Sequence, residues 1–134
     1  MDNYVKEKAA IEIIREMIGK LPEINIDKGL ATCVDDEEFY IELFTDFVNL
    51  DIKEQLVRFM NADDHDNYCI RIHGFKNNAY SVGATALGDL SYEMERISRE
   101  ALTEELKNLQ TSLFEQFDRI CLIFKQIAQG WEEE

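Results

Sequence analysis

The sequence predicts an all-α fold, an up-and-down antiparallel four-helix bundle with one extra helix at the N-terminus. Apolar residues recur at intervals of three and four through most of the 134 residues, which is the helical period. The chain contains a single proline and no strand-like alternation of useful length. The connections between the periodic segments are short, and short loops favour antiparallel neighbours. Because no segment repeats another, we predict one domain over residues 1–134.

The first predicted helix covers residues 3–18 and acts as an N-terminal cap helix within residues 1–22. Gly19 and Pro22 end it, since glycine favours a C-cap and proline cannot continue the hydrogen-bond ladder. The connector at residues 24–30 fits either a turn and a half of helix or an extended link. The inward stripe of the first helix consists of Ala10, Ile14, Met17 and Ile18.

A second, long helix is predicted to begin after an N-cap at Asp35 or Asp36. Glu37 and Glu38 lie in its first turn, where acidic side chains suit the helix dipole. Its apolar band is wide, so we expect it to be buried against several neighbours. The pattern breaks at residues 61–64. The band consists of Phe39, Tyr40, Leu43, Phe44, Phe47, Val48, Leu56 and Phe59.

Three further helices are predicted to complete the bundle. The third begins after an Asp64 N-cap and ends near Gly83, and the fifth begins after a Thr103 cap. Each has an apolar stripe at helical spacing. The stripes are Tyr68, Ile72, Phe75 and Ala79 in the third helix, Leu87, Leu90, Met94, Ile97 and Ala101 in the fourth, and Leu106, Leu109, Leu113, Phe117, Ile120, Phe124 and Ile127 in the fifth.

The charge of the chain argues against several classes of partner. Its formal net charge is −14, from 28 acidic and 14 basic residues. An acidic surface repels nucleic acid and anionic lipid, so we expect neither as a partner. There is no run of about 18 apolar residues and no signal-peptide pattern, and we therefore expect a cytoplasmic protein. A monomer is expected, because each apolar stripe has a place inside one bundle.

The three cysteines, Cys33, Cys69 and Cys121, are far apart in the sequence. Their odd number and wide spacing argue against a disulfide framework and against a zinc motif. We expect small buried or half-buried residues.

His73 and Lys76 are the candidate functional pair. In a helix they lie one turn apart on one face, and each is one residue away from the inward stripe of the third helix. This predicts an imidazole on a half-exposed shoulder beside an ammonium group that can neutralise an anion. Such a pair suits a histidine that carries phosphate. Tyr80 falls on the same side, either in a docking surface or as a half-buried ring.

The residues around His73 resemble the signature of histidine-containing phosphotransfer (HPt) domains of two-component phosphorelays. That signature has a histidine, a lysine three residues later, small residues after it, and a glycine ten residues after the histidine. Here these are His73, Lys76, Asn78 with Ala79, and Gly83. The resemblance covers roughly residues 24–128 and includes Gly29-Leu30, Asp64 and Met94-Glu95.

The resemblance implies a phosphocarrier that accepts a phosphoryl group from a receiver aspartate on His73 and passes it to another receiver aspartate. Lys76 would offset charge on the phosphoryl oxygens during transfer. The implied partners are receiver domains of response regulators or a hybrid sensor histidine kinase, with magnesium on the receiver and no cofactor of the chain's own. Since the sequence lacks GxxxxGK[ST], we expect no ATP binding and no kinase activity. The expected docking and accessory residues are Cys69, Gly74, Asn77, Tyr80 and Gly83.

Asn77 stands where the family usually has glycine, and its side chain would either crowd the histidine or donate a hydrogen bond to a phosphoryl oxygen. It keeps open a phosphorylation-independent helical adaptor that binds a receiver or kinase domain. A metal site at Asp64, His65 and Asp66 is disfavoured, because adjacent residues of a helix point in different directions.

Overall fold

A computed structural model gives an all-α fold. It describes the backbone of residues 3–133 and the side chains of residues 11–126. This part of the chain forms seven helices and no strand, so the predicted fold class is confirmed at this level. The helices are α1 (Asn3–Gly19), α2 (Ile26–Thr32), α3 (Glu37–Val48), α4 (Ile52–Asn61), α5 (His65–Ser81), α6 (Thr85–Ser98) and α7 (Glu104–Glu133).

The predicted N-terminal helix is confirmed as α1. Ile18 is fully buried, but Met17 is 39% exposed and is not part of the inward stripe. The side chains of Ala10 and Ile127, predicted to belong to inward stripes, lie outside those that the structure describes. The connector after α1 contains helix α2, and the Asn25 side chain caps it by accepting a hydrogen bond from the Lys28 N–H at 3.2 Å.

The single long helix predicted for the second segment is wrong, because α3 ends at Val48 and α4 begins at Ile52. The Asn49 side chain donates to the Thr45 carbonyl at 2.8 Å, which satisfies a carbonyl at the end of α3. Asn and Asp favour helix ends over helix interiors, and here they flank Leu50. Phe39, expected in the buried band, is 49% exposed.

The caps predicted for the later helices are confirmed. Asp36 accepts a hydrogen bond from the Phe39 N–H at 3.1 Å, and Asp64 accepts one from the Asn67 N–H at 3.2 Å. Thr103 caps α7 through a 3.1 Å bond from the Leu106 N–H. In α6 the predicted stripe is confirmed at Leu87 and Met94, which are buried, and at Leu90 and Ile97, which are half-buried against the core, but Ala101 lies beyond the helix and is exposed. The buried positions of α6 also include Ser91, Glu95 and Ser98.

Packing places α5 against α6, with further contacts from α5 to α4 and α2 and from α6 to α7. A cluster of Phe47, Phe75 and Phe117 joins α3, α5 and α7, with ring centroids 5.3 to 5.5 Å apart. Tyr68, Ile72, Phe75 and Ala79 are all fully buried, as predicted for α5. Burial of this stripe fixes the rotation of α5 about its axis. As a result, positions next to the stripe, such as His73 and Lys76, lie at the edge of the contact between α5 and α6.

Two further sequence predictions concern the chain as a whole. Cys33 is buried, Cys69 and Cys121 are half-buried, and each is a free thiol, as expected. Among the described residues, no helix has both the length and the apolar character needed to cross a membrane.

Candidate functional site

His73 lies near the middle of α5, and 53% of its side chain is exposed. Its neighbours in the chain, Ile72 and Phe75, are fully buried. The imidazole is therefore on a half-exposed shoulder, as the spacing of the α5 stripe predicted. One edge of the ring faces Glu95 on α6, and the opposite edge lies next to Asn77.

The edge that faces α6 is held by Glu95. Nδ1 of His73 lies 2.5 Å from Oε1 of Glu95, whose side chain is only 5% exposed. An ionised carboxylate can only accept a hydrogen bond, so Nδ1 carries the proton and the Nδ1–H group donates a hydrogen bond to Glu95. In the neutral ring, Nε2 is then unprotonated and presents its lone pair away from α6.

Lys76 lies beside the histidine, as predicted, but its ammonium group is paired with the same carboxylate. Nζ is 2.8 Å from Oε2 of Glu95 and 3.4 Å from Nδ1 of His73. It also lies 5.5 Å from the centre of the Tyr92 ring, within the range of a cation–π contact. The Lys76 side chain is 14% exposed, so its charge lies on the Nδ1 side of the imidazole and is largely shielded from water.

Glu95 is ionised in this environment. Burial by itself raises the pKa of the carboxyl group, but hydrogen bonds from Lys76 and His73 outweigh burial and lower the pKa below its ordinary value of 4.5. Arg99 adds a second cation, with Nη2 3.5 Å from Oε1 of Glu95. The Glu95 carboxylate is thus paired with two cations, Lys76 and Arg99, in a chain whose net charge is −14.

Asn77 covers the outer nitrogen of the ring. It lies one turn after His73 on α5, and its Nδ2 is 3.4 Å from Nε2. The residue is exposed, so the amide is in contact with solvent as well as with the histidine. The position predicted to crowd or assist the histidine is thus in contact with its outer nitrogen.

One buried and one half-buried group support the turn of α6 that carries Glu95. Ser98 Oγ donates to the backbone carbonyl of Glu95 at 3.0 Å, and Cys69 Sγ lies 3.8 Å from the same oxygen. Cys69 was predicted as an accessory residue of the site. Cys69 lies four residues before His73 on α5, and its thiol contacts the backbone of Glu95 and not the imidazole.

Tyr80 bridges α5 and α6. Its hydroxyl donates to Oδ1 of Asp89 at 2.6 Å, and this hydrogen bond, together with burial, raises the pKa of Tyr80 to about 12. The ring lies on Gly88, where a Cβ atom would come within 2.4 Å of Cε1. Tyr80 remains 38% exposed, so it is a half-buried ring that helps to hold the two helices together at the rim of the site.

The two glycines of the motif differ in their surroundings. A Cβ at Gly74 would meet only Nη1 of Arg71, at 3.6 Å, so the surface beside His73 is open there. Gly83 is buried and has a φ of +86°, and a Cβ would lie 2.1 Å from the carbonyl oxygen of Asn25. Its own carbonyl accepts from the Asn25 N–H at 2.7 Å. Gly83 therefore joins the end of α5 to the start of α2.

His65, the second histidine, lies at the start of α5, with Nδ1 3.4 Å from Oδ1 of Asp66. In the part of the chain that the structure describes, no group of three or more His, Cys, Asp or Glu side chains is placed to hold a metal ion.

Sequence reasoning missed the roles of Glu95, Tyr92 and Arg99. One signal was present: Glu95 follows the stripe residue Met94 directly, and a carboxylate on the inward side of a helix requires a partner. That the partner is His73, 22 residues earlier, follows only from the antiparallel pairing of α5 and α6.

Comparisons with protein-family models, curated proteins and solved structures found no match to this chain.

Proposed function

We propose that the chain is an HPt-type phosphocarrier in which His73 accepts a phosphoryl group from a receiver aspartate and passes it to another receiver aspartate. The observation that carries the proposal is the bond from Nδ1 of His73 to the buried Glu95 carboxylate. It fixes the tautomer and leaves a nucleophilic nitrogen on the exposed side of the ring. A histidine without such a partner would divide between two tautomers and several ring orientations.

The transfer requires little of the protein beyond positioning. The Nε2 lone pair attacks the phosphorus of the aspartyl phosphate, the N–P bond forms, and the P–O bond breaks with its electron pair remaining on the aspartate carboxylate. The Nδ1 proton stays in place, so the product is a phosphoimidazolium whose positive charge faces Glu95. The second transfer reverses these steps, and the electron pair of the N–P bond returns to Nε2.

The local charge supports the approach of a phosphoryl group. Lys76 and Arg99 exceed Glu95 by one positive charge, which favours an anion at this point of an acidic protein. In this scheme Lys76 stabilises phosphoryl charge and also keeps Glu95 ionised. Magnesium belongs to the receiver domain, and the chain has no kinase or ATP-binding activity of its own.

The proposal includes the four-helix bundle that the resemblance implies. In this proposal α3 and α4 together form one member of a four-helix bundle, α5, α6 and α7 form the other three, and α1 is the extra N-terminal helix. The contacts of α1 with α3 and α7 support that assignment.

Exposed apolar side chains beside His73 support docking of a receiver domain. Ile70 lies one turn before His73 and is 70% exposed, and Tyr92 on α6 is 57% exposed. Apolar groups that flank a polar reaction centre are typical of a protein interface. The proposed carrier is a cytoplasmic monomer that meets its receivers through this face.

The proposal is tested by transfer from phosphorylated receiver domains, read as the intact mass of the chain. The wild type is expected to gain one phosphoryl group that is labile in acid and stable in base. His73→Gln is expected to gain none, and His65→Gln, the matched control, should behave as wild type. If His73→Gln is still modified, or if no receiver modifies the folded wild type, the proposal fails.

Asn77 favours a second candidate, a phosphorylation-independent adaptor that binds a receiver or kinase domain. Its amide lies over Nε2 at 3.4 Å, in the path of an incoming phosphoryl group. An adaptor would bind a receiver domain with unchanged affinity after His73→Gln and would never be phosphorylated.

A further inference from the structure

The orientation of the Asn77 amide follows from the bond between His73 and Glu95. Because Nδ1 carries the proton, Nε2 of the neutral ring can only accept a hydrogen bond. The atom of Asn77 that faces Nε2 must therefore belong to its NH₂ group, consistent with Nδ2 at 3.4 Å. Asn77 donates to the lone pair that attacks phosphorus in the proposed reaction.

The NH₂ group cannot keep this position once the histidine is phosphorylated. A phosphorus atom bonded to Nε2 would occupy the direction in which the amide now points, at about half of the 3.4 Å separation. Asn77 is exposed on α5, so its side chain can rotate without disturbing the core. A small rotation would bring the NH₂ group beside the phosphoryl oxygens, which are strong acceptors.

The two cations of the site, Lys76 and Arg99, are less well placed than Asn77 to donate a hydrogen bond to a phosphoryl oxygen on Nε2. Lys76 Nζ lies on the Nδ1 side, 2.8 Å from Oε2 of Glu95, and Arg99 reaches the same carboxylate. Among the contacts of the described side chains with His73, the one at Nε2 comes from Asn77.

We propose that Asn77 retains the phosphoryl group on His73: its amide caps Nε2 before transfer and donates to a phosphoryl oxygen afterwards. This inference rests on the proposed phosphocarrier function. It gives this chain a longer-lived phosphohistidine than the same site would have with a small residue at position 77. The physical cause is a hydrogen bond present in the phosphorylated state and weakened as the N–P bond breaks.

The lifetime of the phosphohistidine tests the proposal. Phosphoramidate phosphorylates the protein without a receiver: Nε2 attacks phosphorus, the P–N bond of the reagent breaks, and ammonia leaves with a proton from water. After removal of the reagent, loss of the phosphoryl group is followed by intact mass. The variants are Asn77→Ala and Asn77→Asp, which has the same size but no NH₂ group. Asn78→Ala is the matched control, since Asn78 is the next exposed asparagine of α5.

The expected result is a lifetime shortened by roughly three- to tenfold in Asn77→Ala, the effect of losing one hydrogen bond. Asn77→Asp should shorten it at least as much, because a carboxylate repels the phosphoryl oxygens. Asn78→Ala should match wild type, and circular dichroism should show all variants folded.

Three results would overturn the inference, and they are distinguishable. Equal lifetimes in wild type, Asn77→Ala and Asn78→Ala would leave His73 as the carrier and remove the role of Asn77. A wild-type lifetime retained in Asn77→Asp would reduce that role to steric shielding. If neither phosphoramidate nor a receiver phosphorylates His73, the inference fails together with the phosphocarrier function.

Discussion

Nδ1 of His73 lies 2.5 Å from Oε1 of Glu95, across the interface between α5 and α6. One partner is half-exposed and the other is almost completely buried, so the carboxylate is the fixed member of the pair. The bond decides which nitrogen carries the proton and orients the ring, and it places the nucleophilic nitrogen on the outside of the protein.

Replacing Glu95 should impair transfer more than it impairs folding. In Glu95→Ala the imidazole loses its orienting acceptor, and we expect the rate of phosphoryl uptake from a receiver to fall by roughly ten- to a hundredfold. Glu95→Gln should retain more activity, because its amide oxygen can still accept a hydrogen bond from the Nδ1–H group. Glu93→Gln, an exposed pair partner of Arg96 on the same helix, is the control. Uptake by Glu95→Ala at the wild-type rate would remove Glu95 from the site.

Glu95 should also contribute to stability in a pH-dependent way. Its pKa is lowered in the folded protein, so its stabilising effect is complete above the ordinary value of 4.5 and is lost as the pH falls through the lower folded pKa. At neutral pH we expect wild type to exceed Glu95→Gln by about 1–3 kcal/mol in the free energy of unfolding. Urea unfolding at several pH values should show this difference shrinking below pH 4.5; a constant or growing difference would contradict it.

Gly74→Ala should stabilise the protein and hinder docking. The residue is inside α5, and a Cβ would meet only the end of the Arg71 side chain, so the helix should gain about 0.5–1 kcal/mol. Uptake from phosphoramidate should be unchanged, while transfer from a receiver should slow several-fold, because the added methyl group lies beside His73 on the docking face. An unchanged rate of transfer from the receiver would show that a methyl group at position 74 does not interfere with docking, and would contradict the prediction.

Gly83→Ala should destabilise the fold without changing the chemistry of the site. A φ of +86° and a Cβ only 2.1 Å from the Asn25 carbonyl oxygen require backbone movement, and we expect a loss of at least about 2 kcal/mol in urea unfolding. Gly19→Ala is the matched control, since a Cβ there would meet Ile26 at an ordinary 3.5 Å. Equal stability of the two variants would show that the close contact between Gly83 and Asn25 does not hold the end of α5 to the start of α2.

Helical periodicity and capping chemistry were sufficient to predict most of the secondary structure. The caps at Asp36, Asp64 and Thr103 all form as local rules predict, because each requires only residues three positions apart. The break between α3 and α4 was missed because an apolar pattern continues on both sides of Asn49. Asn49 ends α3 through a hydrogen bond from its side chain to the Thr45 carbonyl, and the spacing of apolar residues contains no information about that bond.

The site was predictable only where its residues are close in sequence. His73, Lys76 and Asn77 lie within two turns of one helix, and helical geometry places them on neighbouring positions. Glu95 comes from the next helix, and its contact with His73 depends on the register of α6 relative to α5. That register is set by packing such as the Tyr80 ring on Gly88, which no single segment of the sequence contains.

The nitrogen atom of the chain that carries phosphorus can be identified by NMR. The protein, labelled at its imidazole nitrogens and phosphorylated by a receiver domain, would be examined by NMR for coupling between phosphorus and nitrogen. We expect coupling to Nε2 of His73, with the proton still on Nδ1. Phosphorus on Nδ1, on His65 or on another residue would rule out Nε2 of His73 as the phosphoryl carrier.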